Sequence, residues 1–278
     1  MGIGAVITMK KSKIIILYHS GAGSTRVICE IYQEVLNKYE VDLQATRVIS
    51  DYKALEKYDF IIFAFPTYHC SPSKSMLQFI ADMPSFHQPK KAYIVTTCGL
   101  YSGNSLKKFI NEAAKKNIVS TGYAVYRSPA TDASLLLPSL PFYYTYEKKI
   151  AIKIKEDIKR IEDNIESDTI NQKTPKYSLL AIMNYPNEIL GKLYKHKLKI
   201  NNECVACNHC VNICERKCWV SDSKYPKYHG DNCEFCFRCI HQCPKGAIII
   251  SNKTKNRTKL TTSFYNNLKQ QIMKELSE

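Results

Sequence analysis

Nine of the twelve cysteines in this 278-residue chain fall between Cys204 and Cys243, and eight of them form a duplicated pattern. Cys204-x2-Cys207-x2-Cys210-x3-Cys214 is followed by Cys233-x2-Cys236-x2-Cys239-x3-Cys243-Pro244. Three thiolates at this spacing can wrap one face of an iron–sulfur cube, and a fourth, three residues on, points toward the neighbouring cube. Structural zinc uses paired CxxC or Cys/His knuckles with a gap between them, which a duplicated triplet is not. The spacing therefore predicts two [4Fe–4S] clusters with crossed ligation. One takes Cys204, Cys207, Cys210 and Cys243, the other Cys233, Cys236, Cys239 and Cys214. Cys218, a ninth thiol close by, reads as a buried bystander or a spare ligand, and Trp219 and Tyr225 as packing residues.

A second set of residues lies near the N-terminus, in Ser20-Gly21-Ala22-Gly23-Ser24-Thr25. Backbone N–H groups of such a loop, at the positive end of a helix dipole, form an anion site. Ser20, Ser24 and Thr25 add hydroxyl donors. A dinucleotide fingerprint would need a third glycine where Arg26 stands, and a P-loop would need Gly-Lys-Ser/Thr. Hydroxyls in place of a lysine suit a phosphate monoester held without metal, which points to FMN. The alternative is a plain glycine turn into a helix. His69 beside Cys70 has the residue types of a nucleophile and its base. Nothing in the sequence puts the two in contact, so Cys70 reads as a small loop residue and no catalytic residue is assigned. Cys29 and Cys98 read as buried apolar thiols.

These residues need a scaffold, and the first 165 residues alternate strand and helix patterns. Residues 13–18 and 60–65 are continuous apolar runs, as expected of strands covered on both faces. A weaker strand is predicted at 43–48 and further strands at 92–97 and 123–126, with Pro66 ending the 60–65 strand. Helical spacing appears at 25–39, where Val27, Ile28, Ile31, Val35 and Leu36 share a face. Further helices are predicted at 74–81, 104–114 and 147–165, and a short one after the N-cap candidate Asp51. The series predicts an α/β fold with a doubly wound, five-stranded parallel sheet. Residues 129–146 interrupt the last unit with Pro129, Pro138, Pro141 and the run Phe142-Tyr143-Tyr144. An insertion of that length is a lid, or a surface loop tucking its aromatics onto the sheet. A helix is expected around 187–195, and Phe264, Leu268, Ile272 and Leu276 at i, i+4 spacing predict a docked helical face in the tail.

With that scaffold, the 20–25 loop resembles the phosphate loop of flavodoxins, with Ala22 where Thr is more usual. The resemblance implies two further flavin loops at the carboxyl ends of strands, where doubly wound folds bind ligands. Pro66, Thr67, Tyr68 and His69 follow one strand, and Cys98, Gly99, Tyr101 and Gly103 follow another. Their amides and small side chains would reach the pyrimidine edge of an isoalloxazine ring, and Tyr68 or Tyr101 would stack on its face. The cysteine segment resembles two-cluster bacterial ferredoxins, a small α+β fold. It departs at Glu215, where the first motif usually has Pro, and mildly in the 18 residues between Cys214 and Cys233. Together the two parts resemble the flavodoxin–ferredoxin fusions of anaerobic bacteria. The resemblance implies a flavodoxin-like FMN-binding domain at 1–168, a basic connector at 169–199, a 2[4Fe–4S] ferredoxin domain at 200–250 and a basic tail at 251–278.

Composition narrows the function classes. Hydrophobic residues make up 45% of the chain, enough for a core, and no apolar run is long enough to span a membrane. The start has its basic residues after a short apolar stretch, the wrong order for a secretory signal, so a cytoplasmic protein with reduced thiols is expected. The net charge of +15 is uneven. Residues 169–199 carry six basic side chains against one acidic, and residues 251–278 six against two. A connector and a tail, rather than one nucleic-acid-reading face, hold the excess. The resemblance implies electron transfer between the clusters and FMN, with an acidic redox partner protein steered by the basic segments. The alternative is a flavoenzyme that reduces a small molecule beneath the 129–146 insertion. No NAD fingerprint is present. The basic stretch from Lys192 to Lys199 reads as a solvated face rather than a membrane-surface anchor.

Overall fold

The computed structural model of this chain describes residues 11–179, 181 and 196–278. Unalternating apolar runs form strands buried on both faces. They are β1 (Lys13–Tyr18), β3 (Phe60–Tyr68) and β4 (Lys90–Cys98), joined by the edge strands β2 (Glu40–Ala45) and β5 (Ile118–Arg127). All five pair in parallel in the order β2-β1-β3-β4-β5. That is the flavodoxin-like doubly wound order, whose ligand crevice opens where β1 and β3 diverge. Helices α1 (Ser24–Val35) and α4 (Ile150–Glu166) bury Val27, Ile28, Ile31, Ile154 and Ile161 against one face. Helices α2 (Lys74–Asp82) and α3 (Ser105–Ala114) bury Met76, Ile80, Phe109 and Ile110 against the other.

Several boundaries differ from expectation: β5 starts at Ile118 rather than 123, α1 ends at Val35 rather than 39, and α4 starts at Ile150 rather than 147. Strand β2 starts and ends three residues earlier than predicted, because its register matches Leu43 to Ile16 and β1 ends opposite Ala45. Val48 then falls in a 3₁₀ turn and is exposed. Pro66 does not end β3: its carbonyl accepts the Ser73 N–H at 3.1 Å, and the strand runs on to Tyr68. It then turns back to pair Tyr68 with Ser71. His69 and Cys70 make that two-residue turn, both with positive φ (49° and 58°), as a primed hairpin turn demands. The helix after Asp51 is a 3₁₀ segment, Lys53–Lys57, with the Asp51 carboxylate accepting the Lys53 N–H at 2.9 Å.

The cysteine-rich part has little regular structure. Lys199–Ile200 pairs with Ile248–Ile249, and Trp219–Val220 with Lys227–Tyr228. Two short helices, His209–Ile213 and Arg238–His241, follow the two cysteine loops. Leu198, Trp219, Phe235, Phe237, Ile240 and Ile248 form its core, and Leu135 from the 129–146 insertion joins them. The tail helix α5 (Thr262–Ser277) packs Phe264, Leu268, Ile272 and Leu276 with Tyr265 against the α1–α4 side of the sheet. Lys269 on α5 bridges Glu30 and Glu34 on α1 at 3.3 and 2.6 Å. The helix expected at 187–195 and the first half of the Lys192–Lys199 stretch lie outside the described residues. Among the described residues no helix is long and apolar enough to cross a membrane.

Candidate functional site

The 20–25 loop joins β1 to α1, with Gly23 at the helix N-cap and no side chain capping the helix. Gly23 has φ 153°, and a Cβ there would collide with the Tyr265 ring of α5. A Cβ on Gly21 would collide with the Tyr68 hydroxyl and come to 3.1 Å from Cys236 Cβ. The loop is thus glycine-rich because two other elements press on it. Its hydroxyls are anchored: Ser24 Oγ lies 3.0 Å from Tyr265 Oη, and Thr25 Oγ1 2.8 Å from Thr97 Oγ1. Ser20 Oγ accepts the Arg26 N–H at 3.3 Å. Among the described residues, no group takes up the amide N–H of residues 21–25. Unclaimed amides at an uncapped helix start fit an anion such as a phosphate monoester.

The three predicted loops come together. A cleft of about 490 Å³ is lined by Ser20, Gly21, Ala22, Ser24 and Thr25, by Pro66, Thr67, Tyr68, His69 and Cys70, and by Cys98, Gly99 and Tyr101. That volume suits a small-molecule cofactor. The insertion supplies the remaining wall with Pro129, Ala130, Asp132, Leu136 and Leu137. Tyr68 turns its hydroxyl toward Gly21, and burial pushes that phenol well above its usual range. Tyr101 stands at the rim, 44% exposed, its hydroxyl bonded to Ser178. Gly103 lies behind Cys70 rather than in the wall. Burial raises the thiols of Cys70 and Cys98, the latter to about 12, so neither is poised as a thiolate.

The two cysteine loops repeat one backbone conformation. Ala206 and Phe235, each two residues after the first cysteine of its triplet, have φ 53° and 65°. Asn208 and Phe237, each following the second cysteine, have φ 56° and 54°. Left-handed backbone at four non-glycine residues is held against its own cost, which is typical of functional loops. The fourth cysteines also match: Cys218 N–H donates to Cys214 Sγ, and Ala247 N–H to Cys243 Sγ, both at 3.3 Å and both four residues on.

The fourth cysteine of the first group sits with the triplet of the second. Cys214, Cys233, Cys236 and Cys239 line one cavity, together with Cys218. Cys218, whose thiol donates to the Arg216 carbonyl at 3.6 Å, lies close enough to Cys214 and Cys233 to lower them to about 6 and about 7. Burial dominates at Cys210 and raises it to about 11, with Cys204 and Cys243 close enough to add to the effect. Cys207 is exposed. Among the described residues no three His, Cys, Asp or Glu side chains converge on one ion. A four-iron cube does not ask for that, since its four thiolates each meet a different iron. Two buried donors favour the fit further: among the described residues Trp219 Nε1 and Tyr228 Oη meet no acceptor in good hydrogen-bond geometry, and both residues line this cavity.

The seam between the two sites holds residues the sequence reading passed over. His19, 2% exposed, directly follows β1, just before the loop. Its Nδ1 lies 2.7 Å from Glu215 Oε2. Its Nε2 lies 2.9 Å from Glu234 Oε1, within ion-pair reach though off the line of a hydrogen bond. Burial alone would lower the imidazole, but Glu234 and Glu215 outweigh it and push it up to about 10. Burial likewise opposes charge on both glutamates, and the imidazolium holds each below the usual carboxylate range. Arg238 adds to Glu215 at 3.2 Å, and Ser75 donates N–H and Oγ to Glu234 at 3.0 and 3.1 Å. Each glutamate directly follows a cysteine, Cys214 or Cys233. The departure at Glu215 was the one visible sign of this contact. His241, 1% exposed, ties the insertion to the tail, bonding Thr131 O at 2.9 Å and accepting the Leu260 N–H at 3.1 Å.

No protein-family model matches this chain. An uncharacterized protein of Methanocaldococcus jannaschii is 41% identical over 72 residues, which are 26% of this chain. The match spans 28% of that relative's length. Among solved structures, oxidised flavodoxin 1 from Bacillus cereus is 14% identical, covering 57% of this chain and all of that one, with a TM-score of 0.39. A flavodoxin from the domain Archaea is 13% identical, over 56% and 99% of the two chains, with a TM-score of 0.39. An NADH:FMN oxidoreductase in its apo form is 17% identical, over 59% and 97%, with the same TM-score. The flavodoxin-like neighbours fall on the N-terminal part of the chain.

Proposed function

We propose that this chain moves electrons between FMN in the three-loop cleft and two [4Fe–4S] clusters on the two cysteine groups, as a redox carrier for a protein partner. The chain then divides into an FMN-binding part at 1–168, a connector at 169–199, a cluster-binding part at 200–250 and a tail at 251–278. FMN exchanges one or two electrons and each cluster one, so together they convert between one-electron and two-electron donors. One observation carries this reading: Ser20, Gly21 and Phe235 are walls of both the cleft and the cavity of Cys214, Cys233, Cys236 and Cys239.

The chain's own work is positioning. The free amides of residues 21–25 would hold the phosphate, and the insertion would keep water from one side of the flavin. Phe235 stacks near His69, with ring centroids 5.9 Å apart, and bridges the hairpin turn of one site to the cysteine loop of the other. The Cys204 group is the outer one, with Cys207 exposed and Val205 58% exposed. A partner would therefore exchange electrons at that edge, guided by the basic segments. A second reading, a flavoenzyme acting on a small molecule, is favoured by the insertion's place in the cleft wall.

Anaerobic purification with flavin, iron and sulfide measured per chain tests the proposal, alongside EPR of the dithionite-reduced protein. One FMN and about eight irons are expected, with interacting signals from two reduced clusters. Iron without flavin, or flavin without iron, overturns it. Turnover of a small acceptor by a variant lacking the cluster cysteines would replace the carrier by the flavoenzyme.

A further inference from the structure

The hairpin around Trp219 and Tyr228 is only two residues long on each side, yet it aligns two polar tips. Trp219 and Tyr228 are direct cross-strand partners, so their side chains leave the ladder on the same face. Their rings pack 4.9 Å apart at 44°. Trp219 is 2% exposed. Its indole N–H and the Tyr228 hydroxyl are both buried, and among the described residues neither meets an acceptor in good hydrogen-bond geometry. Buried indole N–H and phenol O–H groups usually find one, and an orphan pair on one face asks for an explanation. The groups facing them are thiols: Cys239 for the indole and Cys233 for the phenol. Both belong to the cavity that Cys214 and Cys236 complete.

We propose that Trp219 and Tyr228 are positioning donors whose N–H and O–H point at the sulfurs of the inner cluster and raise its reduction potential. The proposal rests on the cluster reading above. Reduction adds negative charge to a cluster, and a donor aimed at its sulfurs stabilises that charge. Around the outer group, the donors found among the described residues are backbone amides, of Ala247 at Cys243 Sγ and of Val211 at Cys210. Side-chain donors thus fall on the cluster nearer the cleft. This orders the potentials so that an electron arriving at the exposed Cys207 edge runs inward to the flavin. The sequence invites a packing role for Trp219, and packing is only half of what its placement does.

The test is an EPR-monitored redox titration of the anaerobically loaded full chain and its Trp219→Phe and Tyr228→Phe variants. The control is Tyr225→Phe, at a tyrosine of the same segment that is 40% exposed. Removing either donor should lower one midpoint and leave the other in place. At the parent's midpoint the reduced fraction ratio of that cluster should fall about tenfold, a shift of about 59 mV for one electron. Tyr228→Phe keeps the ring and its packing, so it decides the matter if Trp219→Phe fails to load iron. Unmoved midpoints in a fully loaded Tyr228→Phe protein overturn the proposal, as does an equal shift in Tyr225→Phe. Absence of iron and sulfide from the parent protein is a different result, because it removes the cluster reading itself.

Discussion

An imidazolium buried between two carboxylates is held by both of them. His19 and Glu234 are 2% and 3% exposed at their side chains, and Glu215 12%. Replacing a partner of a buried pair leaves an uncompensated charge, which costs about 3–5 kcal/mol. Glu234→Gln should therefore lose about that much stability, and Glu215→Gln less, because it is more exposed and His19 keeps Glu234. Urea unfolding of the loaded protein, followed by circular dichroism, measures both. An E234Q value within ~0.5 kcal/mol of the parent would show that the triad contributes little. Gly23 sets a second residue-scale test. Gly23→Ala must adopt φ 153° and push its methyl into the Tyr265 ring, so a loss of about 2 kcal/mol is expected from strain and displacement. Flavin content per chain should fall with it, and undiminished flavin at parental stability would contradict the close approach. Neither the triad nor the Gly23–Tyr265 contact is legible in the sequence. His19 and Glu215 are 196 positions apart, and only the missing proline at 215 hinted that this turn had another task.

Helix α5 is the element whose partner the sequence could not name. Its apolar face was legible from Phe264, Leu268, Ile272 and Leu276 at i, i+4 spacing, because a helix that is polar elsewhere must bury such a stripe. What it covers depends on the fold of a segment more than 200 residues earlier, which periodicity does not encode. Tyr265 separates two contributions of that docking. Tyr265→Phe loses the bond to Ser24 while Ser24 keeps the Pro129 carbonyl at 3.4 Å, so about 1 kcal/mol should go. Tyr265→Ala removes a fully buried ring from the helix–sheet core and should cost about 3–5 kcal/mol. Thermal unfolding of the pair reads the difference, and equal losses would mean that the ring contributes no packing. The strands were the most legible elements, since β1 and β3 are apolar runs without alternation. Strand β2 slipped because an edge strand is half-buried and carries a weaker signal. The turn at His69 and Cys70 was hidden for a chemical reason: two positive φ values normally call for Gly or Asn, and neither is there.

At the scale of the molecule, the two sites stand on unequal foundations. The parallel sheet is flanked by two large cores. The cysteine-rich part has two-residue strands, helices of five and four residues, and a core of about nine buried side chains. A unit that small relies on a staple, and bound metal is the usual one. Its loops also supply Glu215, Glu234 and Phe235, so whatever orders them completes the seam at His19 and one wall of the cleft. If the chain binds the clusters proposed above, removing their iron with a chelator under anaerobic, reducing conditions should therefore act in two places. Proteolytic cleavage should appear between residues 200 and 250 while the circular dichroism of the sheet and its helices persists. FMN affinity should also fall, roughly tenfold for each ~1.4 kcal/mol of binding energy that the Phe235 wall and the His19 anchor supply. Limited proteolysis and flavin fluorescence titration on the same sample measure the two effects together. Cleavage with unchanged FMN affinity would mean that the cleft is finished by the sheet alone, and the seam would then serve the clusters and not the flavin.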